Sequence, residues 1–117
     1  MFIDLHIHST ASDGTDIPEE IVEKISRHSG VKIFALTDHD TIAGIEKLPA
    51  TFPDKAFFIN GVEFSCKIAD GAKCHILAYF FDAANEAFQQ ILSKGNELRK
   101  VQLDMRLKYL SKKYNIT

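Results

Sequence analysis

The chain has 117 residues, 45% of them hydrophobic, and a formal net charge of -2. That length allows one domain with a real core, and the near-neutral balance gives no electrostatic footprint of a general nucleic-acid binder. No apolar run reaches the roughly 18 residues of a membrane span, and no charged, then apolar, leader of a secretory signal opens the sequence. Cys66 and Cys74 are too few for a disulfide framework, so a cytoplasmic protein with reduced, partly buried thiols is expected.

In chain order, Phe2 to His8 alternates apolar and polar residues and predicts a strand, with Ile3, Leu5 and Ile7 on one face and Asp4, His6 and His8 on the other. Two imidazoles at i and i+2 leave a strand side by side, where they could grip one metal ion. Asp13 returns from the loop Ser12-Asp13-Gly14, in which Gly14 is free to take a positive φ. Imidazole with carboxylate suits Mn, Fe or Zn better than Mg or Ca, which favour all-oxygen shells. A helix follows, with Asp16 as the expected N-cap, Pro18 in its first turn, and Ile21, Val22 and Ile25 as its buried stripe. His28 near its end reads as a C-terminal residue favoured by the macrodipole.

Val31 to Thr37 is a short, nearly continuous apolar run, the pattern of a strand buried on both faces in a parallel sheet. Strand, helix, strand makes a βαβ unit with a right-handed crossover. A short helix is expected over 42–48, capped by Asp40 or Thr41 and stopped by Pro49, then a turn over 51–55. Residues 56–68 form a third strand that turns at Asp70-Gly71 and returns over 73–81. From about residue 83 the apolar residues recur at helical spacing among many charges, giving one long helix or two, weakened at Gly95. Its basic run reads as a solvated face. The chain therefore divides at 82/83.

In parallel α/β proteins functional groups gather at the C-terminal ends of strands. His6, His8 and Asp13 fall there on strand one, Asp38 and His39 on strand two and Glu63 on strand three, with His75 on the returning strand. Singly, His39 could open a helix, Glu63 could be a surface charge and His75 a core histidine; all of them at one end of a sheet is a different matter. A two-residue turn at Asp70-Gly71 would pair Cys66 with His75 and put Glu63 and His75 on opposite faces. If both serve one cluster, the hairpin must have an odd-length loop or a bulge.

His6-x-His8-Ser9-x-x-Ser12-Asp13-Gly14, Thr37-Asp38-His39-Asp40, Gly61-x-Glu63 and His75 together resemble the PHP (polymerase and histidinol phosphatase) family, most closely its stand-alone phosphoesterase branch. That branch includes nucleoside 3′,5′-bisphosphate phosphatases and 5′-3′ exoribonucleases. The resemblance implies an α/β fold: part of a distorted (β/α)7 TIM-like barrel over residues 1–82, with a β-hairpin, and the start of a helical insertion over 83–117. It also implies two or three divalent metal ions. His6 and His8 would hold the first, Asp13 and His39 the second, Glu63 would bridge the first and third, and His75 would bind the third. Asp38 would orient a ligand. The expected activity is hydrolysis of a phosphomonoester or phosphodiester through metal-activated water, with no catalytic group beyond the metal ligands. The substrate would be a phosphorylated small molecule, a nucleotide or a short oligonucleotide. The family completes its site with a later His and an Asp-x-His, and no histidine follows His75. The sequence thus reads as an N-terminal portion of such an enzyme; an inactive metal-binding or structural module, such as a polymerase-associated PHP domain, is the alternative.

Overall fold

The computed structural model describes residues 2–27, 30–50, 52 and 56–114. His28, and all of the expected turn over 51–55 except Phe52, lie outside them. Seven elements follow one another: β1 (Phe2–Ile7), α1 (Pro18–Arg27), β2 (Val31–Leu36), α2 (Ala43–Glu46), β3 (Phe57–Lys67), β4 (Lys73–Tyr79) and α3 (Glu86–Tyr114). They fall into two compact units, Met1–Asp82 and Ala83–Thr117.

The first unit is a four-stranded sheet in the order β1-β2-β3-β4. β1, β2 and β3 run parallel, and β4 returns antiparallel to β3. The sheet curls, because the Tyr79 hydroxyl of β4 reaches the Leu5 carbonyl of β1 at 2.5 Å although the two strands are not neighbours. β2 is the buried strand that its apolar run predicts: Phe34, Ala35 and Leu36 are consecutive and all buried. The Phe34 ring meets Phe52 and Phe58, each with centroids 5.2 Å away. Ile21 and Val22 are the residues of the α1 stripe that join the core, with Ile25 half-buried.

Two expected caps are replaced. α1 opens on Pro18, whose missing N–H costs nothing at the first helical position. Asp16 lies outside it, and its carboxylate accepts from Lys24 Nζ at 2.6 Å, while Glu20 Oε2 accepts the Ile17 N–H at 3.3 Å. α2 is shorter than expected. Asp40 does not cap it, because its carboxylate accepts the Ser65 N–H at 3.0 Å; Thr41 Oγ1 accepts from the Ala43 N–H at 3.1 Å.

The hairpin has the odd loop that the sequence demands if Glu63 and His75 are to share a face. Cys66 faces Cys74, Ser65 faces His75 and Glu63 faces Leu77. The ladder extends one step further, Ile68 N–H donating to Ala72 O at 2.9 Å, which leaves Ala69-Asp70-Gly71 as a three-residue loop. Gly71 takes φ 87°, the left-handed residue that such loops need. Asp70 adds an acceptor for the Ala72 N–H at 2.8 Å.

The second unit is a single 29-residue helix that runs through Gly95 without a break. Its apolar residues Leu98, Val101, Met105 and Leu110 are exposed. No described helix is long and apolar enough to cross a membrane.

Gly44 supplies a test of the packing beneath α2. A Cβ there would lie 2.6 Å from Asp38 Oδ2 and 2.8 Å from Ser9 Oγ, two fully buried partners. Alanine is favoured over glycine in a helix by about 1 kcal/mol, yet overpacking of this kind costs about 1–3 kcal/mol. Gly44→Ala should therefore lower the urea unfolding midpoint; a raised midpoint would show that the Asp38–Ser9 contact yields without cost.

Candidate metal centre

The site is assembled at the C-terminal ends of β1, β2 and β3. β1 is in register with β2 from Ile3↔Ile33 to Asp4↔Phe34, slips, and resumes at Ile7↔Leu36, so Leu5 and His6 together stand opposite Ala35. Beyond the strand, His8 is followed by a loop that folds back on itself. The Ser12 and Gly14 N–H groups both donate to Ser9 O, at 3.1 and 2.9 Å. Gly14 is required for space rather than for a positive φ, since a Cβ there would fall 2.2 Å from His8 O.

The loop is anchored from below by Asp38. This carboxylate is 1% exposed and accepts from Ser9 N–H at 2.6 Å, Ser9 Oγ at 2.7 Å and Ser12 Oγ at 2.8 Å. Three donors satisfy a charge that burial would otherwise make costly. Its bonds hold the loop that carries Asp13.

β2 and β3 continue in parallel past the end of β2. Glu63 N–H donates to Asp38 O and Asp40 N–H to Glu63 O, both at 3.0 Å, which sets His39 opposite Glu63. Asp40 then takes φ 53°, turning the chain away. The hairpin parity brings His75 round on the same face.

The other five expected ligands gather around Glu63, whose side chain is 5% exposed. Its Oε1 lies 2.8 Å from His6 Nε2, 2.7 Å from His8 Nε2 and 3.9 Å from His39 Nε2, and its Oε2 lies 2.8 Å from His75 Nδ1. Asp13 closes the other side, with Oδ1 2.6 Å from His8 Nδ1 and Oδ2 3.1 Å from His39 Nε2. The imidazoles form a chain, with centroids 5.1 Å apart for His6–His8, 4.4 Å for His8–His39 and 5.2 Å for His39–His75.

Electrostatics follow from this packing. Burial pushes the Glu63 carboxyl up, but the bonds from His6 and His8 and the charge of His39 outweigh it and hold the group below its ordinary value. Asp13 behaves alike: burial raises it, and the bond from His8 with the charges of His39 and His8 brings it down further. Burial, then the charge of Glu63, raises the Tyr79 phenol and keeps it a neutral donor.

The donor set fits divalent metal ions. Three groups, His6–His8–Glu63, His8–Asp13–His39 and His39–Glu63–His75, each bring one ligand atom per residue within 4.8 Å of one another. Two atoms bound to one ion at about 2.1 Å and separated by a right or tetrahedral angle lie roughly 3.0–3.4 Å apart, close to the separations seen here. Among the described residues, His39 Nδ1 is buried with no hydrogen-bond partner, so the hydrogen bonds within the cluster do not satisfy all of its donors and acceptors.

Ser9, Ser12, Asp40 and Tyr79 support the cluster and escaped assignment from sequence. Ser9 and Ser12 stand inside the first motif, which was the available signal; Tyr79 had none, because its contact with Leu5 exists only once the sheet curls.

The PHP domain family model matches residues 4–113. A 5′-3′ exoribonuclease of Haemophilus influenzae is 39% identical over 97 residues, covering 82% of this chain and 35% of that relative. A 3′,5′-nucleoside bisphosphate phosphatase of Chromobacterium violaceum is 39% identical over 98 residues, covering 83% of this chain and 34% of the relative. The solved structure of a candidate metal-dependent phosphoesterase from Bifidobacterium adolescentis matches with a TM-score of 0.79 at 27% identity, over 98% of this chain and 40% of that one. This chain spans 34–35% of the length of the two curated relatives. The matched residues run from β1 into α3 and contain every candidate ligand, and the chain belongs to the PHP domain family.

Proposed function

We propose that this chain carries the N-terminal half-site of a metal-dependent phosphoesterase, with phosphorylated nucleotides or short oligonucleotides as substrates. The observation that carries the reading is the buried Glu63 carboxylate shared by His6, His8 and His75, with Asp13 joining His8 to His39. A site built for a single purpose of stability would gain more from an apolar core than from six polar side chains. The printed activities of the two curated relatives supply the substrate class. On this reading residues 1–82 are part of a distorted (β/α)7 barrel, 83–117 begin a helical insertion, and the protein works in the cytoplasm.

His6 and His8 would hold one ion, Asp13 and His39 a second, and Glu63 would be shared with a third at His75; two or three Mn, Zn or Fe ions would suit these donors. Bound divalent ions supply Lewis acidity, which lowers the pKa of water and neutralises phosphate oxygens. The chain's own contribution is placement. Asp38 clamps the Asp13 loop through Ser9 and Ser12, the bridge from His39 to Glu63 fixes those two ligands across adjacent strands, and the hairpin register presents His75. No serine or cysteine nucleophile is called for, since Ser9 and Ser12 are committed to Asp38.

This chain should bind Mn²⁺ in calorimetric titration, and a full-length protein carrying it should, with Mn²⁺, release phosphate from a nucleoside 3′,5′-bisphosphate or shorten a 5′-phosphorylated oligoribonucleotide. Absence of both metal binding and hydrolysis would refute the proposal. Glu63→Gln should weaken Mn²⁺ binding at least about tenfold, because it removes a bridging charge and strands three imidazoles. Chelation should lower the melting temperature; ligand at 100 times its Kd stabilises by about 2.7 kcal/mol.

Metal-free protein offers a separate check on the Glu63 pocket. Its carboxyl is held below the ordinary 4.5, so its contribution to stability is present above 4.5 and is lost as the pH falls through the lower folded value. Urea midpoints of wild type and Glu63→Gln should differ most near neutrality and converge in acid. A gap independent of pH would show that the carboxyl is not depressed.

A further inference from the structure

We infer that Tyr79 is a positioning residue for His6 and His8, acting through the hydrogen bond from its hydroxyl to the Leu5 carbonyl. This role rests on the metal-site reading above. The two imidazoles are carried by β1, which has a single ladder partner in the four-stranded sheet. Register with that partner slips where Leu5 and His6 stand opposite Ala35. A slip of this kind re-aims side chains and leaves backbone groups outside the regular ladder. At that point the strand would be free to settle with His6 turned elsewhere.

Tyr79 addresses that point. It stands at the end of β4, opposite Gly61 and on the face that carries Glu63 and His75. Gly61 itself packs against β2, where a Cβ would lie 2.6 Å from Thr37 Cγ2. From there the phenol crosses the concave side of the curled sheet and donates to Leu5 O at 2.5 Å. Leu5 directly precedes His6, whose Nε2 lies 2.8 Å from Glu63 Oε1; His8, two residues on, lies 2.7 Å from the same atom. On the other side of the slip, the Thr37 N–H holds Ile7 O at 2.7 Å. The segment Leu5-His6-Ile7 is thus pinned at both carbonyls, one from β4 and one from the end of β2, and His6 is carried between the pins. Asp4 Oδ1 accepts the His6 N–H at 3.3 Å, a local bond that cannot by itself fix the strand against Glu63.

The test is Tyr79→Phe in the full chain, which deletes the hydroxyl and keeps the ring. Mn²⁺ affinity is measured by calorimetry and the geometry of the site by the visible absorption of the Co²⁺-loaded protein, with Asn60→Ala as the comparison variant. Asn60 Nδ2 donates to Phe81 O at 3.4 Å and has no bond to β1. Tyr79→Phe should weaken the tighter or looser of the resolved Mn²⁺ sites about tenfold, the effect expected when the support of a metal ligand is removed, and should change the Co²⁺ band positions. Asn60→Ala should keep wild-type affinity and bands, whatever its melting temperature. The inference is overturned if Tyr79→Phe binds Mn²⁺ within twofold of wild type with unchanged Co²⁺ bands, or if Asn60→Ala shows the same losses, which would make the effect one of general sheet stability. Failure of wild type to bind Mn²⁺ at all would be a distinct result, overturning the metal-site reading and this role together.

Discussion

The buried Glu63 carboxylate is the constraint on which the rest of the first unit depends. A charge at 5% exposure cannot be left without partners at any reasonable cost. Three imidazole nitrogens lie within 2.8 Å of its two oxygens, and they arrive by two structural routes. His6 and His8 come from the end of β1, one on each side of its last residue. His75 comes from an antiparallel strand whose register is set by a three-residue loop. Had that loop been one residue shorter or longer, every side chain of β4 would have changed face, and the carboxylate would have lost its partner on Oε2. The cluster therefore selects the hairpin geometry as much as the hairpin creates the cluster.

Beneath this lies a second layer of buried polar groups, in which each member has one task. Asp38 takes three donors from Ser9 and Ser12 and so fixes the loop that returns Asp13. Asp40 takes the Ser65 N–H and adopts φ 53°, a left-handed conformation that aspartate tolerates better than most residues. Strain of this sort persists only where surroundings fix it, and such places concentrate at functional sites. Here the surroundings are identifiable: backbone bonds between 38–40 and Glu63 on one side, and the side-chain bond to Ser65 on the other. The run Thr37-Asp38-His39-Asp40 thus places one candidate ligand, His39, between two acids that hold its neighbours.

Much of this was legible in the sequence because it depends on periodicity. The two-residue spacing of His6 and His8, the apolar run of β2 and the turn chemistry of Asp70-Gly71 are local signals, and the parity argument turned them into a requirement on the hairpin loop that the structure meets. What escaped had competing partners outside the local pattern, from Lys24, eight residues past Asp16, to Ser65, 25 past Asp40. Asp16 and Asp40 both precede helices, where an aspartate is ordinarily a cap, yet Lys24 and the Ser65 N–H claim them. Gly14 invited a positive φ, whereas the need was for room against His8 O. At Asp16 and Asp40 a specific side-chain contact outcompetes a local capping preference.

The ligands are also unequally supported, and this bears on how the site behaves. His39 and Glu63 face each other across β2 and β3, the interior of the sheet, next to fully buried Phe34, Leu36 and Val62. His6 and His8 belong to an outer strand whose first residues, Phe2 and Ile3, are 69% and 53% exposed. Local opening begins where buried apolar contacts are few, which sets the outer-strand residues, His6 and His8 by β1 and His75 on β4, apart from His39 and Glu63. Long-range bonds at Leu5 and Ile7 offset that weakness at the positions flanking His6. Polar ties thus reach this outer strand from both β4 and the end of β2, at the residues that flank His6.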